Sequence, residues 1–223
     1  MSISIIKKDY VCFSLLILCL ICLVTPATAN NIVPIAQFSR QSLDHWKKQI
    51  FKSQTHYEFT TLHNIFVLKA ISHDSASGFV KKVHVDLVKT PFLNWHWQVD
   101  HSLHHLAENT KSGDDYAARI YIAINGGIFF WRTLALSYVW SSDKPKGAIW
   151  DNAFSSHVKM LAIESGNSQA GKWDFEKRNV RVDLQKSFGR DFRYIDAVAI
   201  MTDTDSSGQS TTAYYGDIYF SAQ

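Results

Sequence analysis

Hydrophobic and polar residues alternate with a period of two along much of the chain after residue 55. In the run 116–124, for example, the isoleucines at 120, 122 and 124 face one side, whereas Arg119 and Tyr121 face the other. This period is typical of a strand with one buried face. The pattern predicts strands at His56–Thr61, Ile65–Ser72, Val80–Lys89, Phe92–Val99, Tyr116–Ile124, Leu134–Ser141, His157–Glu164, Asn179–Leu184, Tyr194–Thr202 and Ala213–Phe220.

Clusters of Gly, Asn, Asp and Ser separate these runs, as at residues 74–78, 111–114 and 165–168. Short strands joined by such turns favour an all-β, two-sheet antiparallel β-sandwich over a βαβ fold. The segment from Ser39 to Phe51 is open to two interpretations, a single helix or an irregular lead-in to the sheet. No segment shows a long helical period.

The start of the chain is typical of an export signal. Lys7 and Lys8 precede an apolar run at residues 11–24, and Ala27-Thr28-Ala29 forms a small-x-small cleavage site. The apolar run is shorter than the roughly 20 residues that a membrane helix needs. We therefore predict a cleaved signal peptide at residues 1–29, a single β-sandwich domain at residues 30–223, and no stable membrane span after cleavage.

Cysteine and charge narrow the class of protein. All three cysteines lie within the apolar run, so residues 30–223 contain none and their fold depends on its core alone. The same residues contain no N-x-Ser/Thr sequon, which favours a periplasmic or secreted bacterial protein. The formal net charge is +3 and the basic residues are dispersed, so no nucleic-acid partner is predicted.

Four sequence blocks carry a resemblance to a known family. They are GDDYAARIY at 113–121, YVW at 138–140, Trp173 followed by RNV at 178–180, and VAIMTDTD at 198–205 with AYYGDI at 213–218. Together they resemble the bacterial secreted proteins grouped as the domain of unknown function 3047 family, over roughly residues 46–220. The resemblance implies export and a jelly-roll, galactose-binding-like sandwich, but no activity. The final YGDI strand also resembles the last strand of many carbohydrate-binding modules.

An acidic turn is the candidate metal site. Asp203, Asp205 and Ser207 occupy positions 1, 3 and 5 of a calcium-loop pattern that has glycine at position 6. Position 12 carries no glutamate, so the turn is not an EF-hand, and Asp217 closes the site only if the chain folds back. The alternative is a hairpin loop whose aspartates cap their own turn. Ca²⁺ is the cofactor that the first interpretation predicts.

Two kinds of side chain are candidates for ligand binding. Asp115 and Arg119 are the polar candidates. They either pair with each other or bind a ligand, in which case Arg119 holds a ligand oxygen through two parallel hydrogen bonds. Trp131, Trp150 and Trp173 lie near predicted loops, where flat aromatic rings can stack on sugars; the alternative for each is the core. Trp95 and Trp97 share a face with apolar neighbours, and we assign them to the core.

Two glutamates are the candidate catalytic residues. Glu164 and Glu176 would act as acid and base on a polysaccharide if they faced each other across a cleft. The leading hypothesis is instead a non-catalytic module that binds a glycan or another component of the cell envelope. The alternatives are a polysaccharide-active hydrolase or lyase, and a structural or partner-binding envelope protein.

Overall fold

The computed structural model describes residues 31–124 and 133–223. The predicted signal peptide and Trp131 lie outside the described residues. The structure is built mainly of strands, joined by turns and short 3₁₀ segments at Phe38–Arg40 and Lys111–Gly113. The longer elements are β1 Ile32–Ala36, β2 Trp46–Lys52, β3 His56–Leu62, β4 Ile65–His73, β5 Ala76–Asp86, β6 Phe92–Val99, β7 Arg119–Ile124, β8 Leu134–Ser141, β9 Ile149–Asn152, β10 Ser155–Ser165, β11 Asp174–Asn179, α1 Val180–Phe188, β12 Tyr194–Asp203 and β13 Ser210–Ser221.

The strands form two sheets that pack face to face. The six-stranded sheet has the order β11-β6-β13-β4-β3, with β1 also paired to β13. The seven-stranded sheet has the order β2-β5-β12-β7-β8-β10-β9. Neighbouring strands are antiparallel except β8 and β10, which pair in parallel. The predicted jelly-roll-type β-sandwich is therefore confirmed.

Large aromatic side chains fill the space between the sheets. Trp95 and Trp97 project from β6, whereas Tyr138 and Trp140 project from β8 in the opposite sheet, and all four are at most 1% exposed. The rings of Trp95 and Tyr138 stack with centroids 5.5 Å apart. Buried aromatic surface of this size dominates the energetics of a core, and the assignment of both β6 tryptophans to the core is confirmed.

One predicted strand, Asn179–Leu184, is wrong. The chain there begins α1, because the Asn179 side chain accepts a hydrogen bond from the backbone N–H of Val182 at 3.1 Å. The helix ends at Gly189, whose φ of 71° is left-handed. Val180, Val182 and Leu184 mimic strand alternation, yet Val182 is 40% exposed while Leu184 is buried. Val180 and Leu184 are four residues apart, so they lie on the same face of the helix, and both are buried.

The segment from Ser39 to Phe51 is not a helix either. After the short 3₁₀ turn it becomes β2, an edge strand that pairs only with β5. The sequence pattern also fails to predict β1, β9 and β11, and each of these pairs with a single neighbour. An edge strand buries little of either face, so its apolar residues need not alternate.

None of the described helices is long and apolar enough to cross a membrane.

Candidate functional site

A long depression, which we call the trough, runs across the outer face of the seven-stranded sheet. It consists of three adjoining cavities of about 990, 410 and 350 Å³. The first and second share Val80 and Ala123 as lining residues, and the second and third share Phe51, Tyr121 and Met201. The trough is thus continuous from the β2–β5 edge of the sheet to the turn between β9 and β10.

The floor of the trough is low because small residues occupy outward positions on neighbouring strands. Ala197 of β12 lies opposite Ala123 of β7, which in turn lies opposite Ala135 of β8. Gly78 of β5 lines the middle cavity, and a Cβ added there would collide with the backbone carbonyl oxygen of Ile200. A ligand can therefore approach the sheet backbone closely along this row.

Exposed aromatic rings stand along the trough. Phe51 at the end of β2 is 67% exposed, and Phe154 in the turn before β10 is 60% exposed. Both rings line the cavity of 350 Å³ together with the ring of Tyr121. Large apolar side chains with this exposure, gathered around one concavity, are typical of a binding surface.

Arg119 forms the polar end of the trough and is only 2% exposed. Its guanidinium pairs with both carboxylate oxygens of Asp203, and the Nε bond is 2.7 Å. Nη1 donates to the Tyr121 hydroxyl at 2.9 Å, and Nη2 donates to the backbone oxygen of Asp114 at 3.2 Å. Four of the five guanidinium N–H groups are used in this way. Arg119 therefore pairs with Asp203 and, at 3.9 Å, with the Asp114 carboxylate, rather than with Asp115.

Asp114 and Asn152 complete the polar end. The Asn152 side-chain amide donates to both carboxylate oxygens of Asp114, at 2.8 and 2.9 Å. Burial raises the pKa of Asp114 above its ordinary value, although the Arg119 charge acts in the opposite direction. Carboxylate, amide and phenol groups at one end of a concave surface suit recognition of hydroxyl groups.

The acidic turn lies beside this polar end and is held by Asp115. The Asp115 carboxylate accepts backbone hydrogen bonds from Ser206 at 3.0 Å and from Ser207 at 2.6 Å. Oxygens of Asp115, Asp203 and Asp205 all lie within 4.8 Å of one another. Asp203 and Asp205, two of the predicted metal ligands, therefore lie beside Asp115. Ser207, another predicted ligand, donates its backbone N–H to Asp115.

Asp217, the remaining predicted metal ligand, lies elsewhere. It belongs to β13 in the other sheet, and its carboxylate accepts hydrogen bonds from the backbone N–H and the hydroxyl of Ser39, at 2.8 and 2.6 Å. At the turn itself, Arg119 pairs with Asp203, and Lys52 Nζ donates to the backbone oxygen of Asp205 at 2.8 Å. Two cations therefore already lie against the acidic group. Calcium binding stays a prediction of the sequence pattern.

Trp150 and Trp173, the candidate tryptophans among the described residues, lie apart from the trough lining. Trp150 is half-buried on the outer face of the seven-stranded sheet, where it packs against Tyr116 and Met160. Trp173 lies over the outer face of the other sheet, stacked on His96 with centroids 5.5 Å apart and planes at 9°. It also covers Gly216, where an added Cβ would be 2.8 Å from the indole. Trp131 lies outside the described residues, and among the described candidates for ligand binding Arg119 lines the trough.

Glu164 and Glu176 meet where β10 of one sheet approaches β11 of the other. Glu164 is 5% exposed, and its Oε1 accepts a hydrogen bond from Lys146 Nζ at 2.5 Å. Burial, followed by the charge of the neighbouring Glu164, raises the pKa of Glu176 to about 8. Glu176 therefore carries a proton at neutral pH.

This proximity bears on the catalytic hypothesis. Two-carboxylate glycosidases pair a carboxylic acid of raised pKa with a second carboxylate, the two groups being roughly 5–9.5 Å apart. Glu176 has the raised pKa, and Glu164 is its charged neighbour. The Oε2 atom of Glu164 is buried and has no hydrogen-bond partner among the described residues. The pair therefore stays a catalytic hypothesis.

Phe51, Phe154 and the alanine row are site residues that the sequence-based reasoning missed. A signal was present, since outward strand positions at 123, 135 and 197 carry alanine where a solvated face would carry charged residues. Phe51 and Phe154 each lie next to turn residues, outside the alternating runs. Only the pairing of distant strands shows that these features meet.

The fold and the trough define a jelly-roll-type β-sandwich with one open, concave sheet face. The chain belongs to the family described as "Protein of unknown function (DUF3047)", whose sequence profile matches residues 44–219. This confirms the resemblance inferred from the four sequence blocks. No curated protein matches the sequence.

One solved structure supports the fold. The family 30 carbohydrate-binding module of a cellulosomal cellulase from Clostridium thermocellum has a TM-score of 0.50 at 11% identity, with 86% of this chain and 98% of the module covered. At this identity the likeness shows the fold alone. A lectin from Bauhinia forficata, solved with GalNAc, also aligns, with a TM-score of 0.41 at 12% identity and with 86% and 98% covered.

Proposed function

We propose that this protein binds a glycan chain in the trough. The observation that carries the proposal is a floor of small side chains flanked by the exposed rings of Phe51 and Phe154. Sugar rings present apolar C–H faces that stack on aromatic rings, and hydroxyl edges that need polar partners. The trough offers both, because Asp114, Arg119 and Asn152 lie at the end where the rings stand.

We also propose that the protein binds its glycan outside the cytoplasm. The predicted signal peptide at residues 1–29 supports export to the periplasm or beyond, where envelope and extracellular glycans are found. The fold shared with the family 30 carbohydrate-binding module supports the same class of ligand.

The test is a titration of the purified protein with glycans, comparing wild type with Phe51→Ala and Phe154→Ala. A glycan array identifies the ligand, and calorimetry measures its affinity. We expect each variant to bind about two- to tenfold more weakly, because a lost stacking contact removes about 0.5–1.5 kcal/mol. Both rings are largely exposed, so the variants should keep the wild-type melting temperature within about 2 °C.

Phe175→Ala is the matched control, because Phe175 is 51% exposed but lies on β11 of the other sheet. It should bind like wild type. Loss of binding in Phe175→Ala alone would move the site to the Trp173 side of the molecule and refute the trough. Release of new reducing ends would favour a hydrolase, and an array without hits would favour a structural or partner-binding role.

A further inference from the structure

The two ends of the trough differ in charge. The 990 Å³ cavity is lined by Lys47, Lys82, His45 and His84, with Asp196 as an acidic neighbour. His84 already lies 3.4 Å from the Asp196 carboxylate. At the opposite end, the buried Arg119 is neutralised by Asp203.

Lys47 and Lys82 stand close together above the floor. Lys47 of β2 lies opposite Val80 of β5, and Lys82 lies two residues further along β5, on the same face. Such diagonal neighbours across a ladder are near enough for long side chains to converge. Lys82 also lies opposite Ala197, at the head of the alanine row. An anionic group on a chain that occupies the row would therefore reach both lysines.

Neither lysine forms an ion pair within residues 31–124 and 133–223. The lysines that form ion pairs in the described part of the chain are Lys52, Lys69, Lys146 and Lys159. The adjacent Lys81 is also engaged, since its Nζ donates to the backbone oxygen of Ile35 at 2.8 Å. Like charges held near each other on a sheet repel, and a concave surface focuses their field. A bound anion would remove this repulsion.

We propose that the ligand of the trough is an acidic glycan, with a carboxylate of a uronic-acid residue bound between Lys47 and Lys82. The rest of the chain lies along the alanine row toward Phe51 and Tyr121, where the lining is apolar. This inference rests on the proposed function and adds the chemical class of the glycan. A neutral glycan would make no ion pair with either ammonium group.

The experiment uses a glycan array that contains uronic-acid chains, their methyl esters and neutral chains. Wild type is compared with the double variant Lys47→Gln/Lys82→Gln. The control, Lys89→Gln/Lys186→Gln, removes the same charge from exposed lysines outside the trough lining. We expect uronic-acid chains to bind best, and Lys47→Gln/Lys82→Gln to weaken them at least about tenfold, the scale of a charge-assisted hydrogen bond. The control should stay within about twofold of wild type.

Methyl esterification of the best ligand provides a second arm, because it removes the carboxylate charge and leaves the sugar chain unchanged. The ester should bind wild type as weakly as the acid binds Lys47→Gln/Lys82→Gln. If neutral chains bind best and the lysine substitutions have no effect, the acidic-ligand inference is overturned while glycan binding stands. If no glycan binds at all, the proposed function itself fails.

Discussion

The protonation state of Glu176 is set by the place where two sheets meet. Its carboxyl group is partly buried beside Glu164, whose charge is balanced by Lys146. A pKa of about 8 in the folded protein, against an ordinary value of 4.5, means that the native state binds more protons than the unfolded state between these values. The stability that this group contributes is therefore complete below pH 4.5 and is lost as pH rises through 8.

Glu176→Gln should abolish this component of the pH dependence, because the amide has a similar size and cannot ionise. The free energy of unfolding, measured with urea between about pH 6 and pH 9, should fall more steeply for wild type than for the variant. Glu58→Gln is the control, since Glu58 is exposed and its pKa is lowered by His56 and Lys69. Parallel curves for wild type and Glu176→Gln would contradict the assigned proton.

Among the elements, the turn between β12 and β13 shows how a local motif depends on a distant residue. The spacing of its aspartates predicts an oxygen-rich loop, and two of them do come together. The third carboxylate, Asp115, precedes β7 and is far away in sequence. Spacing within one segment cannot reveal a partner that arrives through sheet pairing.

Calcium binding at this turn can be tested by metal removal. We expect chelation to leave the melting temperature unchanged, because Arg119 already balances Asp203 and the Asp115 oxygens already accept two backbone hydrogen bonds. Thermal unfolding in EDTA, and then in excess calcium, measures this. A melting temperature that falls in EDTA and recovers with calcium would contradict this expectation and support the calcium-loop prediction. The reason is that an ion bound only to the folded state stabilises that state.

The fold class could be predicted because central strands such as β6 and β8 bury one face and therefore alternate. The same rule misassigned Asn179–Leu184, where three apolar residues at even spacing lie on a helix that a capping Asn and a left-handed Gly define. Capping is a local signal, and Asn179 and Gly189 could have revealed α1. Edge strands such as β2 carry no such signal, because their positions depend on the neighbour that they pair with.

For the whole molecule, the trough exists because strands remote in sequence are neighbours in one sheet. Phe51, Tyr121 and Phe154 are separated by many residues, yet line the same cavity. A sequence can indicate that position 123 or 197 faces outward, but the strand order places those alanines side by side. This is why Arg119 could be predicted as a candidate while the aromatic rings beside it could not.

The most direct test of the trough is to map the bound ligand by NMR. The ¹⁵N-labelled protein is titrated with the best glycan from the array, and amide shift changes are assigned to residues. We predict that the largest changes occur at Gly78, Tyr121, Ala123, Ala197 and Ala199, along the outer face of the seven-stranded sheet. Changes concentrated at His96, Trp173 and Phe175 would place the ligand on the other sheet and contradict the account.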